Sequence, residues 1–159
     1  INVCATELQQ LNFFDRIKSA LDASGLSPEL LEIEITERAL IGQYSAVVDN
    51  LQKLRAINVS IALDDLGAEN SSLQRLIECP IDVIKIDRFF VERVGEVKSE
   101  AVIAAVITMA NATGMRVVAE GVETEAQLSF LRDSGCNVVQ GYLHAKPMPS
   151  EELEAYLSN

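Results

Sequence analysis

VSIALDD, Val59 to Asp65, is an apolar run that ends in two adjacent carboxylates. Val59, Ile61, Ala62 and Leu63 suit a buried strand, and Asp64 and Asp65 stop it. The same ending recurs along the chain. Glu34 and Glu37 close LEIEIT (Leu31 to Thr36), and Lys85 and Asp87 close VIKI (Val83 to Ile86). Glu120 and Glu123 close RVVAE, Gln140 closes NVVQG, and Asn2 lies in the opening INVC. Six short strands therefore carry polar groups at or near their carboxyl ends.

Helical patterns fill the intervals. Leu8, Leu11, Phe14, Ile17 and Leu21 have helical spacing, and Gly25 stops that helix. Ser27-Pro28 predicts an N-cap and one short turn. Further helices are predicted over 44–57, from SSLQRLIE with Ser71 or Ser72 as cap, and over 99–113 with Gly114 as stop. Thr124 and Gln127 form a capping-box pattern that opens a helix ending at Gly135, and Ser150 is read as the cap of a last helix. Residues 92–98 read as a polar connection. Strands alternating with helices, without hairpin turns, predict an α/β fold with a parallel sheet and right-handed crossovers. In such folds the ligand site lies at the carboxyl ends of the strands, where these polar groups fall.

Composition narrows the partners. The 159 residues include 13 Lys and Arg against 24 Asp and Glu, a formal charge of -11. That balance excludes a nucleic acid polymer held by general electrostatics, because no basic field exists to release counterions. A small phosphate ligand held through a metal ion is compatible with it. Cys4, Cys79 and Cys136 show neither zinc-site spacing nor a pairing pattern, which fits a reduced, cytoplasmic compartment. No apolar run is long enough to cross a bilayer. The chain starts inside a predicted strand without Met, so a piece of a longer protein is expected.

Several carboxylates gathered around one lysine repel each other unless a cation sits among them. Their donors are oxygens, which suits Mg²⁺, Mn²⁺ or Ca²⁺. Two such ions in an oxygen-rich site are a common apparatus for hydrolysing a phosphate ester. Simpler roles exist for each residue alone. Asp65 suits a helix N-cap equally well, Lys85 has Asp82 and Asp87 beside it, and Glu37 and Glu123 suit a solvated surface. The lone His144 falls in a polar loop and is given no catalytic role. The apolar stripe of the 99–113 helix reads as core, although on an outer helix it would also suit a partner.

In order, INVCATEL resembles an N-x-S segment with Cys4 in place of serine, LEIEITERAL an E-x-T-E motif, and DDLG a D-D-F-G motif. IDVIKIDRFFV resembles a K-I-D motif, VVAEGVETEAQL an E-G-V-E-T motif, and VVQGYLHAKPMP a Q-G-Y-x-x-x-x-P-M-P ending. Together they resemble the EAL-domain family, the cyclic-di-GMP phosphodiesterases, over essentially the whole chain. The resemblance implies a TIM-like (β/α) barrel, here incomplete, with about six of the eight strand-helix units of such a barrel. Residues 1–159 would be one partial EAL domain whose N-terminal strands, with the EAL signature, lie outside it.

The resemblance also implies roles. Asn2, Glu34 and Asp64 would hold a first Mg²⁺ or Mn²⁺, and Asp64, Asp65 and Glu120 a second. Lys85 and Glu120 would be catalytic, Lys85 holding the attacking water or the phosphate charge. Glu37, Asp87, Glu123 and Gln140 would support the site or the ligand, Glu37 by anchoring the loop after Asp65. The reaction would be hydrolysis of cyclic-di-GMP to the linear dinucleotide in a parent protein with an upstream sensor or cyclase domain, this portion alone being weak or inactive. The loop after Asp65 departs from the family, with Leu66, Ala68, Glu69 and Asn70 where an aromatic, a hydroxyl residue, a glycine and a tyrosine are usual. That change raises an alternative: a degenerate module that binds cyclic-di-GMP, or only a protein, without turnover. Open sheet edges would allow a homodimer.

Overall fold

The computed structural model describes residues 1–40, 44–64 and 78–158. Six strands form one sheet in chain order: β1 (Asn2–Val3), β2 (Glu32–Thr36), β3 (Ser60–Asp64), β4 (Val83–Ile86), β5 (Arg116–Glu120) and β6 (Val138–Gln140). Every neighbouring pair is parallel. The helices are α1 (Ala5–Leu8), α2 (Phe13–Ser24), α3 (Tyr44–Ala56), α4 (Arg88–Val91), α5 (Val97–Thr113), α6 (Glu125–Asp133) and α7 (Ser150–Leu157). This is the expected α/β architecture, a curved wall of parallel strand-helix units belonging to an incomplete (β/α) barrel. The predicted SSLQRLIE helix and its caps at Ser71 or Ser72 fall outside the described residues, apart from Glu78.

Alternation assigns the two faces of the sheet. Ile33, Ile35, Ile61, Leu63 and Ile84 point to the helices and are buried. They meet Leu51 and Leu54 of α3, Ile103 and Ile107 of α5 and Leu131 of α6 in one apolar cluster. The opposite face carries Asn2, Glu34, Asp64, Lys85, Glu120 and Gln140. β4 and β5 have the bounds that their sequences predict, because each is a β-branched run cut off by a charge.

The expected helix through Leu8 and Leu21 is instead two, α1 and α2. The buried Asn50 of α3 donates to the carbonyls of Leu8 (2.8 Å) and Gln10 (3.0 Å), taking up oxygens that a continuous helix would use. Leu11, counted as core by its spacing, is exposed as a result. α2 ends as predicted, with Gly25 left-handed and its N–H on Leu21 O at 2.9 Å. The Thr124–Gln127 capping box is present with both of its bonds. Ser150 does not cap α7: it is the first helical residue, behind Pro149, and no side chain caps that end. Ser27 precedes a 3-10 turn (Pro28–Leu30) without capping it. α4 interrupts a stretch given no helix by its sequence, and α5 starts two residues early.

Candidate active site

Strand register brings the polar face together. Asn2 is level with Glu34, Thr36 with Asp64, and Glu120 with Gln140. Residues paired in parallel strands point the same way, so these side chains share one surface at the carboxyl ends of the strands. Lys85 lies between them on β4. Its Nζ is 3.0 Å from Glu34 Oε2 and 2.5 Å from Glu120 Oε1. Asp64 adds attraction from a third side.

Lys85 is only 5% exposed. Burial is the largest influence on its ammonium and pushes the pKa down, but the hydrogen bonds it donates to Glu120 and Glu34, with the charges of Glu120 and Asp64, outweigh it. The net result is a lysine held well above its ordinary range, a permanent cation at neutral pH. Neither flanking aspartate holds it. Asp82 pairs with Arg55 at 2.9 Å and accepts the Ile61 N–H, while Asp87 caps α4 by accepting the Phe89 N–H at 2.8 Å. The short-range pairings open at the sequence level thus give way to two carboxylates from other strands, one on the adjacent β5 and one on β2, two strands away.

The loops above β5 and β6 are closely fitted. Val122 N–H donates to Gln140 O (3.1 Å), and Leu143 N–H donates to Val122 O (3.0 Å). Gly141 is required there, because a Cβ would overlap the Val122 backbone, 2.6 Å from its carbonyl carbon. Beside these loops lies a cleft of about 550 Å³ lined in part by Glu120, Glu123, Gln140, Tyr142 and Lys146.

Of the residues singled out in the sequence, Glu34, Lys85 and Glu120 are in direct contact, Asp64 acts on Lys85 through its charge, and Asn2 and Gln140 are placed by register. Glu37 is buried in a 3-10 turn (Glu37–Leu40), and Glu123 lies at the rim, 3.0 Å from Arg88. Asp65 lies outside the described residues. His144 sits in the loop after β6. Arg88 received no role from its sequence, since its partner Glu123 is on another strand-helix unit. Among the described residues no three His, Cys, Asp or Glu side chains close on a single point as a metal cage. The metal-ligating donors on this face are carboxylate and amide oxygens, a set that fits a hard divalent cation rather than zinc.

Residues 1–147 match the EAL domain family. The chain belongs to that family. The cyclic di-GMP phosphodiesterase NbdA of Pseudomonas aeruginosa is 40% identical over 158 residues, covering 99% of this chain and 20% of the relative. The solved EAL domain of Mycobacterium smegmatis DcpA is 34% identical with a TM-score of 0.93, covering 99% of this chain and 71% of that one. Klebsiella pneumoniae BlrP1 has been solved with cyclic-di-GMP and manganese; it is 32% identical with a TM-score of 0.85, covering 92% of this chain and 38% of that one. This EAL chain spans about a fifth of the length of the first curated relatives it matches. Among its described residues no helix is long and apolar enough to cross a membrane.

Proposed function

We propose that this EAL domain serves a divalent-cation-dependent phosphodiesterase that opens one 3′–5′ phosphodiester of cyclic-di-GMP to give the linear dinucleotide. The observation that carries the proposal is Lys85, buried between Glu34 and Glu120 on the polar face of an EAL sheet. Relatives named as cyclic di-GMP phosphodiesterases, and neighbours solved with that nucleotide, supply the substrate class.

Charge explains why a cation belongs to this reading. Glu34, Asp64 and Glu120 outnumber Lys85, so the face repels a phosphodiester anion until positive charge is added. Asn2, Glu34, Asp64, Asp65 and Glu120 would hold two ions, Mg²⁺ or Mn²⁺. When bound, such ions lower the pKa of water and neutralise phosphate charge.

The chain's own groups do the rest. Lys85 stays protonated and offers its N–H donors to phosphate or water at a fixed point between β2 and β5. Glu34 and Glu120 orient that ammonium and keep it charged. Gln140 and Glu123 stand at the cleft where the nucleotide would extend, Asp87 fixes the start of α4, and Glu37, buried in the turn after β2, would anchor the loop after Asp65.

Chromatography of cyclic-di-GMP incubated with Mn²⁺ and the protein, in this form and in one extended upstream of Ile1, tests the proposal. Linear dinucleotide that disappears in Lys85→Ala supports it. Tight nucleotide binding with no product in either form overturns turnover and identifies a receptor.

A further inference from the structure

We infer that Arg88 is a positioning residue that locks the Glu120 loop to the end of β4 and so sets the Lys85–Glu120 geometry. The inference rests on the functional reading above for its kinetic consequence, but not for its structural one. Arg88 opens α4, directly after Asp87, the cap of that helix. Its guanidinium pairs with Glu92 on its own side and reaches Glu123 Oε1 at 3.0 Å across the gap.

The stem of Arg88 makes a second contact. Gly121 follows Glu120 with φ +70°, and a Cβ there would lie 2.8 and 2.9 Å from Arg88 Cβ and Cδ and closer still to Cγ. The arginine stem therefore lies flat against the backbone next to Glu120 and carries the clamp; its head and Glu123 are about half exposed, so their ion pair orients the stem and adds little stability of its own. The segment Gly121–Glu123 is gripped between Arg88 and the 140–143 segment, in which Gln140 O accepts the Val122 N–H and the Leu143 N–H donates to Val122 O. β4 carries Lys85 and β5 carries Glu120, and beyond the last ladder pair, Ile86 with Ala119, Arg88 adds a second tie between the two strand ends beside the Lys85–Glu120 pair itself. Partners hydrogen-bonded directly to metal ligands change affinity or activity by about 10–100-fold when removed; Arg88 acts one residue away, through Gly121 and Glu123, so the low end of that range is expected.

The test compares Arg88→Ala, Arg88→Lys, Glu123→Gln and the Arg88→Ala/Glu123→Gln double variant. Hydrogen exchange at the Val122 and Leu143 amides is read first, with Ile61 and Ile84 as internal controls. Arg88→Ala is expected to speed exchange about tenfold at the first pair and leave the controls unchanged. Mn²⁺ titrated calorimetrically should bind about tenfold more weakly. Where the wild type turns over cyclic-di-GMP, kcat should fall about tenfold with KM within about twofold. Arg88→Lys keeps the stem and should recover most of the exchange protection and part of the affinity. The double variant should be no worse than Arg88→Ala, since both remove one link. Unchanged exchange in Arg88→Ala, or single-variant effects that multiply, overturns the inference. A wild type that neither binds Mn²⁺ nor turns over refutes the function alone, and the exchange data then decide the clamp. Should Arg88→Ala fail to fold, the milder Glu123→Gln takes its place, with the same amides as readout.

Discussion

The inner face of the sheet carries two cation-carboxylate clusters, one at each end, built from almost the same parts. At the carboxyl end Lys85 joins Glu34 and Glu120. At the amino end Arg116 joins Glu32 at 3.2 Å and Ser60 at 3.4 Å, with Ser60 donating to Glu32 at 3.1 Å. β2 supplies a glutamate to each, two residues apart. They differ in exposure: the Lys85 side chain is 7% exposed and that of Arg116 is 61%. An ion pair in water contributes roughly 0–1 kcal/mol, so the amino-end cluster does little beyond covering the foot of the sheet. A cation withdrawn from water must be held by carboxylates, and its charge acts at greater strength on whatever enters. The difference teaches that burial, not residue type, makes one end of this sheet a site.

Lys85→Met breaks the contrast most severely. Glu34 and Glu120 are left facing each other and Asp64 without their counter-charge. Turnover should fall by roughly 100-fold or more, the scale of losing a fixed electrostatic donor. Stability should fall by about 2 kcal/mol, less than the roughly 3–5 kcal/mol of a fully buried pair, because both carboxylates retain some contact with water. Chromatographic product analysis and chemical denaturation check the two parts. Retained turnover would show that the buried cation has no part in the chemistry.

Gly141→Ala comes next. Its Cβ has no space beside the Val122 backbone, which is itself held at both its N–H and its carbonyl. We expect about 1–3 kcal/mol of destabilisation and a comparable loss of activity, because the displaced segment continues directly from Glu120. Denaturant midpoints beside amide exchange at Val122 give the measurement, and an unshifted midpoint would show that the loop has room to move.

The sequence made the polar face readable because each strand is short, β-branched and cut off by a charged or amide residue. Glu34, Asp64, Lys85, Glu120 and Gln140 could be placed at strand ends without knowing which would touch. The partners of Lys85 were not readable. Asp82 and Asp87 are its neighbours in the chain, while the residues that hold it, Glu120 on the adjacent β5 and Glu34 on β2, are far from it in sequence and meet it only in the assembled sheet. The break between α1 and α2 was hidden for a similar reason: it depends on Asn50 of α3, and the periodicity of Leu8, Leu11 and Phe14 contains no trace of it. Arg88 escaped notice because a single arginine after Asp87 looks like surface until Gly121 and Glu123 are placed beside it. Local pattern reports which face a residue joins; the partner across the face is a property of the assembled sheet.

Arg116→Ala sharpens the comparison from the other end. Glu32 and Ser60 keep each other and water as partners, so stability should change by less than about 1 kcal/mol. kcat and KM should stay within about twofold, because Arg116, Glu32 and Ser60 bond one another at the opposite end of the strands from Lys85. Steady-state kinetics and a melting curve test this, and a tenfold fall in kcat would mean that the two ends are coupled through the sheet.

The smallest expected effect is an absence of pH dependence, and it follows from the sign of the Lys85 shift. Burial opposes the charge, and Glu120, Glu34 and Asp64 more than compensate, so the folded pKa lies above the unfolded value. A group raised on folding stabilises fully below its unfolded pKa, about 10.4 for lysine, and loses that contribution only as pH climbs through the folded value. The stability gap between the wild type and Lys85→Met should therefore be flat from about pH 7 to about pH 9 and narrow only at higher alkalinity. Arg116 stays charged over that whole interval, so the gap for Arg116→Ala should be small and equally flat. Denaturation of all three proteins at stepped pH separates the explanations. A Lys85 gap that closes by about pH 9 would mean that burial outweighs the carboxylates, and the ammonium would then be a group able to give up its proton during the reaction.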